Sequence, residues 1–270
     1  MSNLIDFLAQ YPRWVVLSGA GVSLASGIPT YRDEKGEWQR SKPIQHPEFV
    51  SSAQVRHRYW ARSFLGWGTV ALAQPNTAHF ALAALEQKGI SELLISQNVD
   101  NLHQRAGSEK VIDLHGNLSR VVCLQCGGLS TRASLQERML EANSNFTQVL
   151  AEIRPDGDAA VDEVLIEQFN PPYCSHCGGD LMPDVVFFGG VVPSTRVETC
   201  MNALSQADAL VVVGSSLKVY SGFRFCVKAK EWGKGLALIN PGWTRADDLA
   251  DLKITEPCAQ ALTSLVAQLT

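Results

Sequence analysis

Two cysteine pairs, Cys123-Leu-Gln-Cys126-Gly-Gly and Cys174-Ser-His-Cys177-Gly-Gly, constrain this chain more than any other feature. In each pair two thiols lie three residues apart on a tight turn. The glycines that follow let the backbone fold around an ion without a side chain in the way. Four thiolates close a tetrahedral shell around one zinc ion and leave no vacant position, so the expected ion is structural. Its binding could add on the order of 10 kcal/mol to the folding of a small module. A redox Cys-x-x-Cys would put its first cysteine at a helix start after a strand, usually in a single pair. His176 lies inside the second turn and reads as an exposed turn residue, because four cysteines already suffice. Cys200, Cys226 and Cys258 have no partner at ligand spacing and read as small core residues. Seven cysteines, an odd and sparse number, argue against a disulfide scaffold and for a reducing cytoplasm.

The segments flanking the pairs alternate strand and helix. Trp14-Val-Val-Leu-Ser is a strand running into Gly19-Ala20-Gly21 and a helix start. Further apolar runs follow at 93–95, 111–114, 185–188, 210–213 and 236–239. Several are apolar at successive positions, as parallel strands covered on both faces require. Helical spacing marks 77–88, opened by Asn76 and closed before Gly89, and also 196–207, 223–232 and 259–269. The fold expected is α/β, a Rossmann-like doubly wound parallel sheet with a small zinc-binding domain inserted. Residues 1–117 and 184–270 would form the larger domain, with a helical insertion at about 45–75, and 118–183 the smaller. The acidic stretch from Glu152 to Glu167 reads as a solvated face.

Composition narrows the function classes. At 46% hydrophobic and 19% charged, the chain has enough apolar surface for a core of this kind. A net charge of −4 gives no sign of a nucleic-acid surface. Apolar runs such as 209–213 are far shorter than the ~20 residues a membrane span needs. The first residues lack the pattern of a leader, in keeping with a cytoplasmic setting.

Three polar constellations sit where such sheets bind ligands, at the carboxyl ends of strands. The first is the turn from Gly19 to Arg32, which continues through Gly27-Ile28-Pro29, a stretch that cannot be ordinary helix. A helix start beside an arginine-bearing loop would suit a pyrophosphate. The second runs from Gln97 through Asn98, Val99 and Asp100 to His103, directly after a strand. The third is Asp113-Leu114-His115-Gly116, whose histidine can accept a proton near neutral pH. Singly, each has a plain structural reading as a turn cap or a satisfied buried histidine.

Together the motifs resemble the sirtuin family. In order they are GAGxSxxSGIPxYR, QNVDxLH, LHG, the two cysteine pairs, DVVFFG, GSSL and INPG, and the resemblance covers nearly the whole chain. It implies an NAD-dependent protein-lysine deacylase that transfers the acyl group to ADP-ribose and releases nicotinamide. Carried over residue by residue, Gly19, Ala20, Gly21, Ser23, Pro29, Tyr31 and Arg32 would cover the NAD phosphates and the nicotinamide ribose. Ile28, Val99 and Asp100 would form the nicotinamide pocket. Gln97 and Asn98 would contact the reactive ribose and its water, and His115 would be the catalytic base, acting with Asn98 and Asp100. Gly214, Ser215 and Ser216 would hold the far phosphate and ribose. Asn240, Pro241, Gly242 and Cys258 would lie on the adenosine side. Val185, Phe187, Phe188 and Gly189, facing Val219 and Tyr220, would be the edges between which an acyl-lysine peptide adds as a strand. Many relatives carry an acid where this chain has Gly190.

The segment Arg58-Tyr59-Trp60-Ala61-Arg62 through Trp67, with Tyr31 and GSSLxVYSG, resembles the class II branch of the family. Tyr59 and Arg62 are three apart and share a helix face. A phenol and a guanidinium there could hold a carboxylate at the acyl tip, which implies a preference for larger or carboxylated acyl groups. A protein mono-ADP-ribosyltransferase using the same NAD site is the alternative reading. A non-catalytic zinc-containing adaptor would have no need for His115, Asn98 and Asp100.

Overall fold

The run Trp14–Ser18 is a strand buried at all five positions, as expected in the middle of a doubly covered sheet. A computed structural model describes residues 4–30, 43–146, 152–153, 159–160 and 163–269. Its strands in chain order are β1 (Trp14–Ser18), β2 (Ser91–Ser96), β3 (Val111–Asp113), β4 (Gly116–Cys123), β5 (Leu129–Thr131), β6 (Glu152–Ile153), β7 (Ala159–Ala160), β8 (Leu181–Val185), β9 (Ala209–Val213), β10 (Gly235–Ile239) and β11 (Leu252–Ile254). Six of them form one parallel sheet in the order β11-β10-β9-β1-β2-β3. The chain leaves β3 for a small antiparallel sheet, β5-β4-β8, and returns to pair β9 on the far side of β1. The strand order therefore reverses at β1, and the crevice lies beyond the carboxyl ends of β1 and β9.

Alternation along the strands builds two cores. Trp14, Val16, Val211, Val213, Ala237 and Ile239 face one layer, formed by the helices Leu4–Gln10, Thr77–Gln87 and Cys258–Ala267. Val15, Leu17, Leu210, Val212, Leu236 and Leu238 face the other, formed by Ser194–Gln206 and Tyr220–Glu231. Cys200 and Cys226 are fully buried in that second layer, as their isolation in the sequence suggests.

A third core lies under the small sheet. It joins Phe49, Tyr59, Trp60 and Phe64 to Val121, Leu135, Met139, Phe169 and Leu181, so the helix Ala53–Leu72 packs on the cysteine-bearing part. Arg132 pins this junction. Its guanidinium is buried, donates to the Ser63 carbonyl at 3.0 Å and to Gln136 Oε1 at 2.7 Å, and lies over the Trp67 ring at 4.9 Å. Burial lowers its pKa to about 10, so it stays cationic.

Three local readings differ from the sequence expectation. After β1 the chain makes two 3₁₀ turns, Ala20–Val22 and Leu24–Ser26, and no α-helix begins there. Gly27, in the left-handed region at φ +81°, ends the second turn. The apolar run at 185–188 is strand only as far as Val185. Beyond it the backbone bonds elsewhere, Val186 N to the His115 carbonyl at 2.7 Å and His46 N to the Phe188 carbonyl at 2.8 Å. The edge strand β11 has no counterpart among the runs read from the sequence. Of the acidic stretch, Glu163 and Glu167 are exposed as expected, while residues 154–158, 161 and 162 lie outside the described residues.

Gly116 joins β3 to β4 at φ +85°, where an added Cβ would sit 2.8 Å from Val185 Cα and closer still to the Asp184 carbonyl. A Gly116→Ala substitution is expected to cost about 3 kcal/mol, combining left-handed strain with a backbone clash. Urea denaturation at neutral pH measures it.

Candidate active site

Glycine is required where the loops after β1 and β9 meet. The Gly21 amide donates to the Gly214 carbonyl at 2.9 Å. A Cβ on Gly19 would lie 2.7 Å from the Ser215 Cβ, one on Gly21 would lie 2.9 Å from the Gly214 carbonyl oxygen, and one on Gly214 would lie 2.6 Å from Val22 N. The two backbones form one floor at the switch point.

The segment after β2 is stitched onto that floor. Asn98 Nδ2 donates to the Gly19 carbonyl at 3.1 Å and to Ser23 Oγ at 3.0 Å. Ser23 in turn donates to Asp100 Oδ2 at 2.6 Å, and the other Asp100 oxygen accepts from Leu102 N at 3.0 Å. Burial raises the Asp100 pKa, while the Ser23 hydroxyl and the Leu102 amide pull it back. Asn101 holds a left-handed conformation, φ 64°, to open the short helix Leu102–Arg105. Ile28 is buried against Ala73 and Leu102, with Pro29 half-buried beside it and Val99 half-buried in the loop.

His115 is held from two sides. Its Nδ1 lies 2.9 Å from the Gln97 carbonyl and its Nε2 2.8 Å from Ser221 Oγ. A carbonyl only accepts, so the neutral ring carries its proton on Nδ1. Burial lowers the His115 pKa and Arg196 and Arg224 add to the effect, with the Gln97 carbonyl opposing. The ring is therefore neutral at pH 7 and able to take up a proton. The Gln97 side chain spans the floor, donating to the Ser18 carbonyl at 3.1 Å and to Ser215 Oγ at 2.9 Å.

The remaining candidates extend from this centre. Ser216 accepts from Arg245 N, and Asn240 Nδ2 donates to the Gly242 carbonyl at 2.9 Å beyond β10, with Pro241 exposed between them. Cys258 is buried at the start of the last helix with its thiol on the Ile239 carbonyl, and burial pushes that thiol up to about 11. Across the crevice, Phe187 stacks on Phe49 at 4.8 Å, while Val219 and Tyr220 are exposed. Gly189 has φ +74°. A Cβ on Gly190 would lie 2.9 Å from the Phe187 carbonyl, so the chain makes a turn there that leaves no room for an acidic side chain. Tyr31 and Arg32 lie outside the described residues.

A sequence profile of the Sir2 family matches residues 19–221. The chain belongs to the Sir2 family. It is 50% identical over 265 residues to the NAD-dependent protein deacetylase of Xanthomonas axonopodis pv. citri (strain 306), covering 98% of this chain and 90% of that one. It is 46% identical over 265 residues to the NAD-dependent protein lipoamidase sirtuin-4, mitochondrial, of Bos taurus, covering 97% of this chain and 84% of that one. The solved Sir2–p53 peptide–NAD+ complex matches with a TM-score of 0.76 at 30% identity, over 98% of this chain and 96% of that one.

This Sir2-family chain brings all four paired cysteines together. The ligand atoms of Cys123, Cys126, Cys174 and Cys177 lie within 4.8 Å of one another, with Cys123–Cys177 at 3.5 Å and Cys126–Cys174 at 3.8 Å. A tetrahedron of thiolates at about 2.3 Å from zinc has edges of about 3.8 Å, so the set fits that ion. The two turns repeat one bonding scheme. Gly127 N donates to the Cys123 carbonyl, Gly178 N does so to that of Cys174, and both glycines have φ near +70° (+70° and +73°). The Cys126 amide pulls the Cys123 thiol down to about 6. His176 is exposed, and the clustered set does not include it.

Tyr59 and Arg62 lie on one helix but reach different neighbours. Tyr59 is buried, edge-on to Phe187 at 5.5 Å, while Arg62 Nε donates to the Ala159 carbonyl at 3.0 Å. Several site partners were not read from the sequence: Ser18, Ser96, Asn117 and Ser221. Ser96 bonds the Asn98 amide, and Asn117 ties Asn101 to Asp113. The signal for Ser18 and Ser96 was available, since each is the polar last residue of a buried strand.

His103 lies beneath the floor, its Nε2 2.8 Å from Ser18 Oγ and its ring 4.8 Å from that of His79. Burial lowers His79 to about 4 and His103 to about 3. The unfolded chain takes up these protons first, at the ordinary 6.5. Their contribution is thus complete above pH 6.5 and is lost as pH falls through the range down to about 4 and about 3. Urea denaturation should show stability dropping between pH 7 and pH 5, with a shallower slope for His79→Gln. Metal analysis should return one zinc per chain, and a strong chelator should lower the melting temperature, as should Cys126→Ser without it.

Proposed function

We propose that this chain is an NAD-dependent protein-lysine deacylase that releases nicotinamide and transfers the acyl group to ADP-ribose. The observation that carries the reading is the His115 imidazole held with Nδ1 2.9 Å from the carbonyl of Gln97, in the loop whose Asn98 and Asp100 are joined through Ser23. Relatives named NAD-dependent protein deacetylases share half of its residues. When bound, NAD supplies a weak glycosidic bond whose sugar carbon can be attacked by the acyl oxygen of a modified lysine.

Asp100, fixed by Ser23 and Leu102, receives the carboxamide of the nicotinamide ring, with Ile28 and Val99 closing the pocket. Asn98 and Gln97 orient the reactive ribose. His115 takes a proton from a ribose hydroxyl at Nε2, general-base work worth roughly 10²- to 10⁴-fold. Gly19, Ala20, Gly21, Ser23, Pro29, Gly214, Ser215, Ser216, Asn240, Pro241, Gly242 and Cys258 line the rest of the dinucleotide. Zinc on the four cysteines holds the smaller part together and takes no part in the reaction. The chain divides into 1–117 with 184–270, and 118–183, the helix Ala53–Leu72 of the first part lending its apolar face to the second.

The acyl-lysine peptide adds between 185–189 and 219–220. Tyr59 packs edge-on against Phe187 at that edge, and a selector for larger or carboxylated acyl groups formed with Arg62 rests on their shared helix face. The relative named for lipoamidase activity supports the same direction and a place in the class II branch. Seven free cysteines suit a reducing cytoplasm.

His115→Ala should reduce nicotinamide release from NAD and an acyl-lysine peptide by about 10²- to 10⁴-fold, with the circular dichroism unchanged. The acidic limb of kcat/KM for the wild type should lie below pH 6.5, the ordinary histidine value. Mass spectrometry should find O-acyl-ADP-ribose; modified protein in its place would indicate ADP-ribosyl transfer. On acetyl, succinyl, glutaryl and lipoyl peptides the larger or carboxylated groups should give the higher kcat/KM, and an unchanged ranking in Arg62→Ala would remove the pair as selector.

A further inference from the structure

Ser221 has no role in the reaction described so far, yet its hydroxyl occupies the acceptor nitrogen of the base. It is the second residue of the helix Tyr220–Glu231, which is held in place by fully buried Phe225 and Cys226. The next residue, Gly222, packs so closely on the Gln97 side chain that a Cβ there would lie 2.9 Å from Gln97 Cδ. Gln97 thus touches the helix with its amide and the imidazole with its carbonyl. The helix answers with Ser221 Oγ, 2.8 Å from Nε2. The ring is fixed by one bond from the β2 loop and one from the helix, at opposite nitrogens.

We propose that Ser221 is a positioning residue for His115: with the Gln97 carbonyl on Nδ1 it sets the plane of the imidazole, and its hydroxyl holds the lone pair of Nε2 until a ribose hydroxyl takes its place. The proposal rests on the reading of His115 as the base. A hydroxyl can turn from donor to acceptor without moving its oxygen, so Ser221 Oγ can accept from the protonated Nε2 once the ribose oxygen has given up its proton and moved away. The bond to the charged ring is the stronger of the two. The charged groups that bear on the ring are Arg196, from the helix Ser194–Gln206, and Arg224, one turn along the Ser221 helix. Both oppose the imidazolium, and no carboxylate among the described residues bonds to the ring. Ser221 is then the group that steadies the protonated ring.

Ser221→Ala is expected to lower kcat about tenfold while leaving KM for NAD and for the acyl peptide within about twofold. The acidic limb of the pH profile should move to lower pH, and Ser221→Thr should restore both. In the wild type, imidazole ¹⁵N spectra of His115 should report a protonated Nδ1 and an unprotonated, hydrogen-bonded Nε2. An Nε2–H tautomer overturns the proposal, whether or not the alanine variant folds. So does an alanine variant with wild-type kcat and an unmoved pH profile, or a threonine variant as impaired as alanine. Full activity in His115→Ala would instead bring down the assignment of the base, and Ser221 would then be judged on the ¹⁵N spectra alone.

Discussion

The contact between two stretches of bare backbone, at Gly19 and Gly21 on one side and Gly214 on the other, is the constraint on which the site depends. No side chain larger than hydrogen fits at any of the three, because each would meet main-chain or Ser215 atoms inside 3 Å. The parallel sheet brings the ends of β1 and β9 side by side, and the glycines let their loops close to hydrogen-bond distance. Everything polar above that floor is referenced to it. Asn98 is aimed by the Gly19 carbonyl, and Gln97 by the Ser18 carbonyl and the Ser215 hydroxyl.

Gln97 gathers the most separate connections. Its backbone carbonyl meets the imidazole, its amide meets the β1 and β9 loops, and its side chain packs against the helix that carries Ser221. Residues joined in this way do not act independently, and substitutions among Gln97, His115 and Ser221 are expected to be strongly non-additive. The Asn98–Ser23–Asp100 chain is a second network, in which one hydroxyl both accepts and donates. Such fully satisfied buried networks hold their members in one geometry.

Much of this was legible in the residues. Strands β1, β2, β3, β9 and β10 announced themselves as apolar runs, and the cysteine turns as paired Cys-x-x-Cys-Gly-Gly. Asn76 does cap the helix predicted behind it, its side chain accepting from Ala78 N at 2.9 Å. The polar segments after β2 and β3 stood out because amides, acids and histidines directly follow buried strands. What stayed hidden depends on distance along the chain. Ser221 and His115 are 106 positions apart, and nothing local marks either as the other's partner. The close approach of Gly214 to the turn after Gly19 is likewise a contact between distant segments, which no local propensity expresses. The run beyond Val185 has strand composition, but its bonding partners are His115 and His46 rather than a sheet neighbour. The apolar face of the helix Ala53–Leu72 was visible; that it covers the small sheet was decided by Trp60 and Phe64 finding Leu181 and Phe169.

The buried guanidinium of Arg132 has a different bearing on acid conditions from the two histidines under the floor. Its partners are a carbonyl, a hydroxyl, an amide oxygen and the face of an indole, none of which gains a proton in the ordinary acid range. An arginine anchored to carboxylates would be released as they were neutralised. This one keeps every tie, so mild acid leaves the anchor at Arg132 intact while it charges the two histidines beneath the dinucleotide cleft.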